Sequence, residues 1–389
     1  MPTTDNQGSF LNLISIRRNQ VTTDPVHDQE QEDLDLFQKH VSTRFSDLLS
    51  APSPSPSESS NPPPPPPPLL SISWLRNLLD AFICCEAEFK LLLISGRDPS
   101  SLSKPPLDKL IPDLLDRHLK ALDICNAVSH ALDLLRHWHT LALIAVSSLR
   151  RHPLGEGQVR RARKALSTIL TSMAVDDQTH TSGGGASFHR RAPVAKNFRS
   201  LSWAVAKSWS AAKQAHAMGA NLVAPRGAEV TSLPMPIYIM SNVVVFVMWA
   251  LVAAVPCQDR AGLATHLPVP KQLTWAQPMS SLVEKIGEDW KKKEKKGGAG
   301  LLEEIQRMER VAQWLVDLAD SFMFPLDEDK AVELAAQVAE LEEICAKMEE
   351  GLLPLQQQVR EVFHKMVRSR ADVLEVLDQA GKSTIPVPY

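Results

Sequence analysis

Over most of the chain the hydrophobic positions recur three and four residues apart, the period of a helix with one covered face. Leu34, Phe37, Val41, Phe45 and Leu48 make the first such set, behind an acidic start that suits a helix N-terminus. A second set, Leu75, Leu78, Leu79, Phe82 and Ile83, lies in a predicted helix from Ser73 to Ser95 that stops at Gly96. From Pro112, a residue suited to a first helical turn, to about Arg151 there is no further Gly or Pro. Leu114, Ile124, Val128, Leu132, Leu135, Trp138, Ala142 and Leu149 then mark one long core-forming helix. A shorter helix with basic outer residues follows from Gln158 to Ala174, and two more are parted by the "GGAG" ending at Gly300.

The C-terminal quarter is the most regular. Leu334, Val338, Leu341, Met348, Leu355, Val359, Val362 and Met366 belong to a heptad seam, which serves either as internal core or as a partner face. Gly351 can end a helix and Pro354 can begin one, so a hairpin of two antiparallel helices is expected; a single kinked helix would keep the same phase. With no convincing alternating pattern, the fold class is all-α, a multi-helix bundle with long helices and flexible connectors.

One stretch has no polar face. The nineteen residues from Ile237 to Val255 carry no charge, and Val244, Phe246, Trp249 and Leu251 sit among them. As a helix they span roughly 28 Å, enough to reach across a bilayer core. An apolar cylinder is covered either by lipid or by protein. The flanks hold Arg226 before the run and Arg260 and Lys271 after it, so no side has the basic excess that orients a span. Membrane location through 237–255, as a single pass facing the cytosol, and burial in a cytoplasmic bundle both remain open.

Low-complexity stretches divide the chain. Residues 1–50 form an N-terminal amphipathic segment. Residues 51–70 are a Ser/Pro-rich linker with ten prolines between Pro52 and Pro68. Residues 71–175 form a first helical half, and 176–195 a Gly-rich flexible connector. A helix, the apolar segment and a Pro-punctuated loop occupy 196–277, and the C-terminal helices 278–380. The net charge of −3 supplies no long-range field for nucleic acid, and aromatics do not interleave with the lysines between Asp289 and Gly298. Nucleic acid is therefore not an expected partner. Cys84, Cys85, Cys125, Cys257 and Cys345 show no zinc or redox spacing, which fits a reducing compartment, and the N-terminus predicts no secretory leader.

Catalytic signals are missing. His137 and His139 stand about 200° apart on a helix, whereas a metal pair needs spacing of three or four. His118 and His130 read as interfacial. Neither the glycines near Gly155 nor Gly183–Gly185 have the strand-then-helix context of a phosphate cradle. No cofactor, metal site or catalytic residue is proposed, and the chain is expected not to be an enzyme. Arg199, three before Ser202, makes that serine a candidate phosphosite.

The blocks "QGSFLNLISIRRNQ", "FQKHVSTRFSDLL", "SWLRNLLDAFICCEAEFKLLL", "LDICNAVSHALDLLRHWHTLALIAVSSL" and "FRSLSWAVAKSWSAAKQAHAMGANLVAPRG" resemble the plant BYPASS-related family. The likeness is strongest to its branch of interactors of the exocyst's Exo-seventy subunits, and it covers nearly the whole chain in order. It implies a non-enzymatic interaction protein with an Exo-seventy partner, acting in exocytosis, polarised secretion and cell-wall or seed-coat deposition. The wider family implies an alternative, a membrane-anchored regulator of a mobile root-to-shoot signal. Neither the contact residues nor homo-oligomerisation follows from the resemblance.

Overall fold

In the computed structural model, residues 25–49, 68–94, 99–151, 153–175, 209–227, 229, 232–257, 263–264, 266–294, 300–321 and 327–383 are described; they form nine α-helices and no strand. The helices are α1 (Pro25–Asp47), α2 (Ile72–Ile94), α3 (Leu107–Leu149), α4 (Glu156–Val175), α5 (Ala211–Gly219), α6 (Pro234–Ala254), α7 (Gln277–Glu294), α8 (Glu303–Asp320) and α9 (Glu328–Ser383). The all-α expectation is met. The Gly-rich connector, Ser202 and most of the Ser/Pro-rich linker lie outside the described residues.

The apolar run becomes α6, and all 21 of its residues are buried. Helices α1, α2, α3, α5 and α7 pack around it, each turning the apolar stripe seen in its sequence inward. Pro234 and Pro236 lie in its first turn, where the amide hydrogens they lack would have had no intrahelical partner. At the other end the carbonyls of Ala253 and Ala254 accept from the amides of Leu301 and Leu302, each at 3.0 Å. A buried helix end needs such partners, and here the segment leading into α8 supplies them.

The same segment holds the start of α2. The Ser71 hydroxyl accepts from the amide of Trp74 at 3.2 Å, and the Glu304 carboxylate accepts from the amide of Ile72 at 3.1 Å. Burial raises the pKa of Glu304, opposed by these backbone hydrogen bonds. A carboxylate borrowed from α8 thus sits at the positive end of the α2 dipole.

Two expected helix boundaries are corrected. Helix α3 begins at Leu107 and carries Pro112 inside it. Both Pro112 and Asp108, whose carbonyl loses its helical partner, are exposed, so water can satisfy that oxygen. At the C-terminus there is no hairpin: α9 runs unbroken for 56 residues with Pro354 inside it. Gly351 does not adopt the left-handed conformation of a helix stop. Its role is close approach, because a Cβ built there would lie 2.5 Å from Cγ2 of Ile72. The carbonyl freed by Pro354 belongs to the exposed Glu350.

Helix α9 lies along α2, α3 and α8. Its buried residues include Gln356, which donates to Asp133 and accepts from Arg136, both at 2.9 Å. Arg370 donates to the carbonyl of Leu115 at 3.1 Å. Beneath it His118 is buried, with neither ring nitrogen hydrogen-bonded. Burial, reinforced by the nearby Arg370 charge, pushes its pKa down from 6.5 to about 4.

Two predictions follow from this packing. Alanine is the better helix former, yet Gly351→Ala is expected to destabilise the protein by about 1–3 kcal/mol, because the Ile72 contact outweighs propensity. Denaturant unfolding checks this, and a more stable variant would show that the α2–α9 contact is slack. Between pH 6.5 and about 4 the unfolded chain takes up a proton at His118 that the native state refuses. Stability therefore falls as pH falls through that window. His118→Leu is expected to flatten the slope of stability against pH there, and an unchanged slope would mean that the native imidazole does protonate.

Candidate functional site

Every residue of the candidate membrane segment faces protein. Ile237, Val244, Phe246, Trp249, Leu251 and Val255 are at most 2 % exposed. Phe246 meets Phe45 of α1 edge to face, with ring centroids 5.5 Å apart, and Tyr238 meets Trp275 in the same manner at 6.2 Å. The indole of Trp249 donates to the carbonyl of Ala264 at 2.8 Å. Asn242 satisfies itself within the helix, donating to the carbonyl of Tyr238 at 2.8 Å. Among the described residues α6 alone is long and apolar enough to cross a membrane, and it is fully covered by protein.

The seam of α9 is likewise interior. Leu334, Val338, Leu341, Met348, Leu355, Val359, Val362 and Met366 are all buried, so they serve as core and are not free to meet a partner. Polar contacts at the margins of the seam fix its register. Gln358 accepts from Arg76 at 3.3 Å and donates to Asp80 at 2.7 Å. Lys90 pairs with Asp372, and Arg307 of α8 binds Glu340 and Glu343 at 3.3 and 3.2 Å. The Arg307 contact leads the causes that lower the pKa of Glu343 to about 2, but the group is so exposed that solvent screening keeps its contribution to stability small.

Among the described residues the buried charged and thiol groups are engaged in packing contacts. The most buried charged cluster joins α1 to α2: Arg44 holds the Glu88 carboxylate through both nitrogens, and His40 approaches the same carboxylate at 3.2 Å. Beside it the Cys85 thiol is pushed up to about 12 by burial, as are Cys125 and Cys345, so none of these thiols is a ready thiolate. His137 is exposed and His139 half-buried, on different faces of α3. No group of three His, Cys, Asp or Glu among the described residues is placed to hold a metal. A cleft of about 160 Å³ lined by Leu70, Asp289, Leu301 and Arg307 is smaller than the roughly 300–1,000 Å³ of ordinary ligand pockets.

Residues that periodicity alone did not single out do much of the positioning. Arg117, buried on α3, donates to the carbonyls of Met218 and Ala220 at 3.1 and 3.3 Å, closing the end of α5 beside α6. Glu304 and Gln356 act similarly, as described above. Polar residues on otherwise apolar faces were the available signal, but their partners are more than a hundred residues away.

The chain matches the family model described as "Protein ROH1-like" over residues 1–377. It is 53 % identical to Protein ROH1A of Arabidopsis thaliana over 99 % of both chains. With Protein ROH1D of the same plant it shares 39 % identity over 98 % of this chain and 99 % of the other. No solved structure matches it. The match over residues 1–377 and the likeness to these two proteins along nearly their whole length place the chain in the ROH1-like family.

Proposed function

We propose that this chain is a non-enzymatic helical adaptor that binds an Exo-seventy-type exocyst subunit and thereby regulates polarised secretion. The observation that carries the reading is the match to the ROH1-like family over residues 1–377, joined to the resemblance of this chain's own sequence blocks to exocyst interactors. Among the described residues, helical faces beside a cleft of only about 160 Å³ suit docking better than turnover. Because the α9 seam is interior, the partner contacts exposed side chains. Helix α6 acts as core, so membrane attachment comes through the partner or the outer surface.

The alternative, a membrane-anchored regulator of a mobile root-to-shoot signal, requires α6 to leave its coat and enter lipid. That exchange would expose the apolar stripes of five helices to water, at roughly 25 cal/mol for each Å² of apolar surface.

Full-length protein is expected to retain a purified Exo-seventy-type subunit in a pull-down. In cells the chain is expected to be released from membranes by alkaline carbonate. Absence of binding by the folded full chain would overturn the adaptor reading. Carbonate-resistant pelleting that requires residues 237–255 would instead put α6 in lipid and favour the alternative.

A further inference from the structure

The outward side of α9 carries a second seven-residue repeat, separate from the buried seam. Val332, Ala339, Ala346, Leu353, Arg360, Val367 and Leu374 all stand seven apart, and all are exposed. The large ones are open to solvent: Val332 is 72 % exposed, Leu353 48 %, Val367 40 % and Leu374 44 %. Over this span of about 63 Å the stripe offers one exposed residue per heptad along the outer side of the helix, a row against which a second helix can lie.

Charge and side-chain size both select the occupant. From Glu328 to Glu350 the helix carries eight acidic residues against Lys330 and Lys347; from Gln356 to Arg370 it carries Arg360, Lys365, Arg368 and Arg370 against Glu361. Two such helices side by side in parallel would align acidic half with acidic half. Antiparallel about Leu353, the acidic stretch from Glu340 to Glu350 meets the other copy's Arg360 and Lys365, while at the ends Glu328, Asp329 and Glu333 lie near its Asp372, Glu375 and Asp378. With Leu353 on the two-fold axis, Val332 falls opposite the second copy's Leu374, and Ala339 opposite its Val367, a small residue against a larger one.

Arg360, the charged member of the stripe, then falls opposite Ala346. The four residues three and four positions away from Ala346 are Glu342, Glu343, Glu349 and Glu350. Within the described chain Glu342 pairs with Arg150, and Glu343 with Arg307 and Lys347; no ion pair to another described residue is recorded for Glu349, Glu350 or Arg360. The repeat therefore sets its one cation over a carboxylate-lined hole in a second copy and nowhere in itself.

We infer that two copies of this chain associate through the outer face of α9, antiparallel, with Leu353 on the two-fold axis. Such an interface is isologous, each contact occurring twice. It leaves the rest of the outer surface free for a different partner.

Sedimentation velocity of the full chain over a hundredfold range of concentration is the test. Wild type is expected to pass from monomer to dimer. Leu353→Glu, which places two like charges on the axis, is expected to raise the Kd about tenfold or more without changing the circular dichroism. Arg360→Glu is expected to weaken the dimer, and adding Glu349→Arg and Glu350→Arg to that same chain to restore it. Oxidation should link copies carrying Leu353→Cys. It should also link a chain carrying Ala339→Cys to one carrying Val367→Cys, but not two chains carrying Ala339→Cys. Wild type that stays monomeric throughout, a dimer indifferent to Leu353→Glu, or efficient linkage between two Ala339→Cys chains would each overturn the inference.

Discussion

A helix of 21 residues with no polar side must be covered all the way round, and that requirement organises this protein. Water rejects α6 on every face, whereas each neighbouring helix has only a stripe to hide. Five helices arranged about α6 satisfy both needs at once. The chain-distant contacts at its ends belong to the same solution. Leu301 and Leu302 close the last carbonyls of α6, and Glu304, two residues on, accepts from the first amide of α2. Removing α6 from the interior would leave these groups and the inner stripes without partners together.

Apolar covering alone would allow the long helices to slide, since leucine against leucine is tolerant of register. The polar contacts narrow the choice. Gln356 reaches both Asp133 and Arg136 of α3, Arg370 reaches the carbonyl of Leu115, and Arg117 closes the end of α5. Each satisfies a buried or half-buried group that would be costly to leave alone. Gly351 adds a steric condition at the crossing of α9 and α2, where only a residue without a side chain lets Ile72 sit so close. Shape and hydrogen bonding together hold a 56-residue helix in one position along its neighbours.

The chain belongs to the ROH1-like family, and the interior formed by its described residues is given over to packing. Buried ionisable groups here serve structure: thiols are held protonated, His118 is held neutral, and the carboxylates of Glu88 and Glu304 each bind a donor. The outer faces of α9 and its neighbours carry the variety in charge and shape that recognition needs. A long helix supported along its inner side is a suitable platform for it, because little ordering cost remains when a partner arrives.

Much of this was legible along the chain. The helices, the all-α class and the phase of the α9 seam follow from spacings of three and four, which act between near neighbours and need no knowledge of the rest of the fold. The charge-free character of 237–255 is equally local. What covers that run is not, because lipid and protein present the same apolar surface; in this fold helices drawn from residues 25 to 294 surround it. Gly351 and Pro354 read as a break by local chemistry. They became a continuous helix because Ile72, nearly 280 residues earlier in sequence, takes the space beside the glycine, and water reaches the carbonyl that the proline leaves free. In the same way, the seam of α9 and the sparser outer row from Val332 to Leu374 run along one helix. Tertiary packing buried one of them against α2, α3 and α8 and left the other facing solvent.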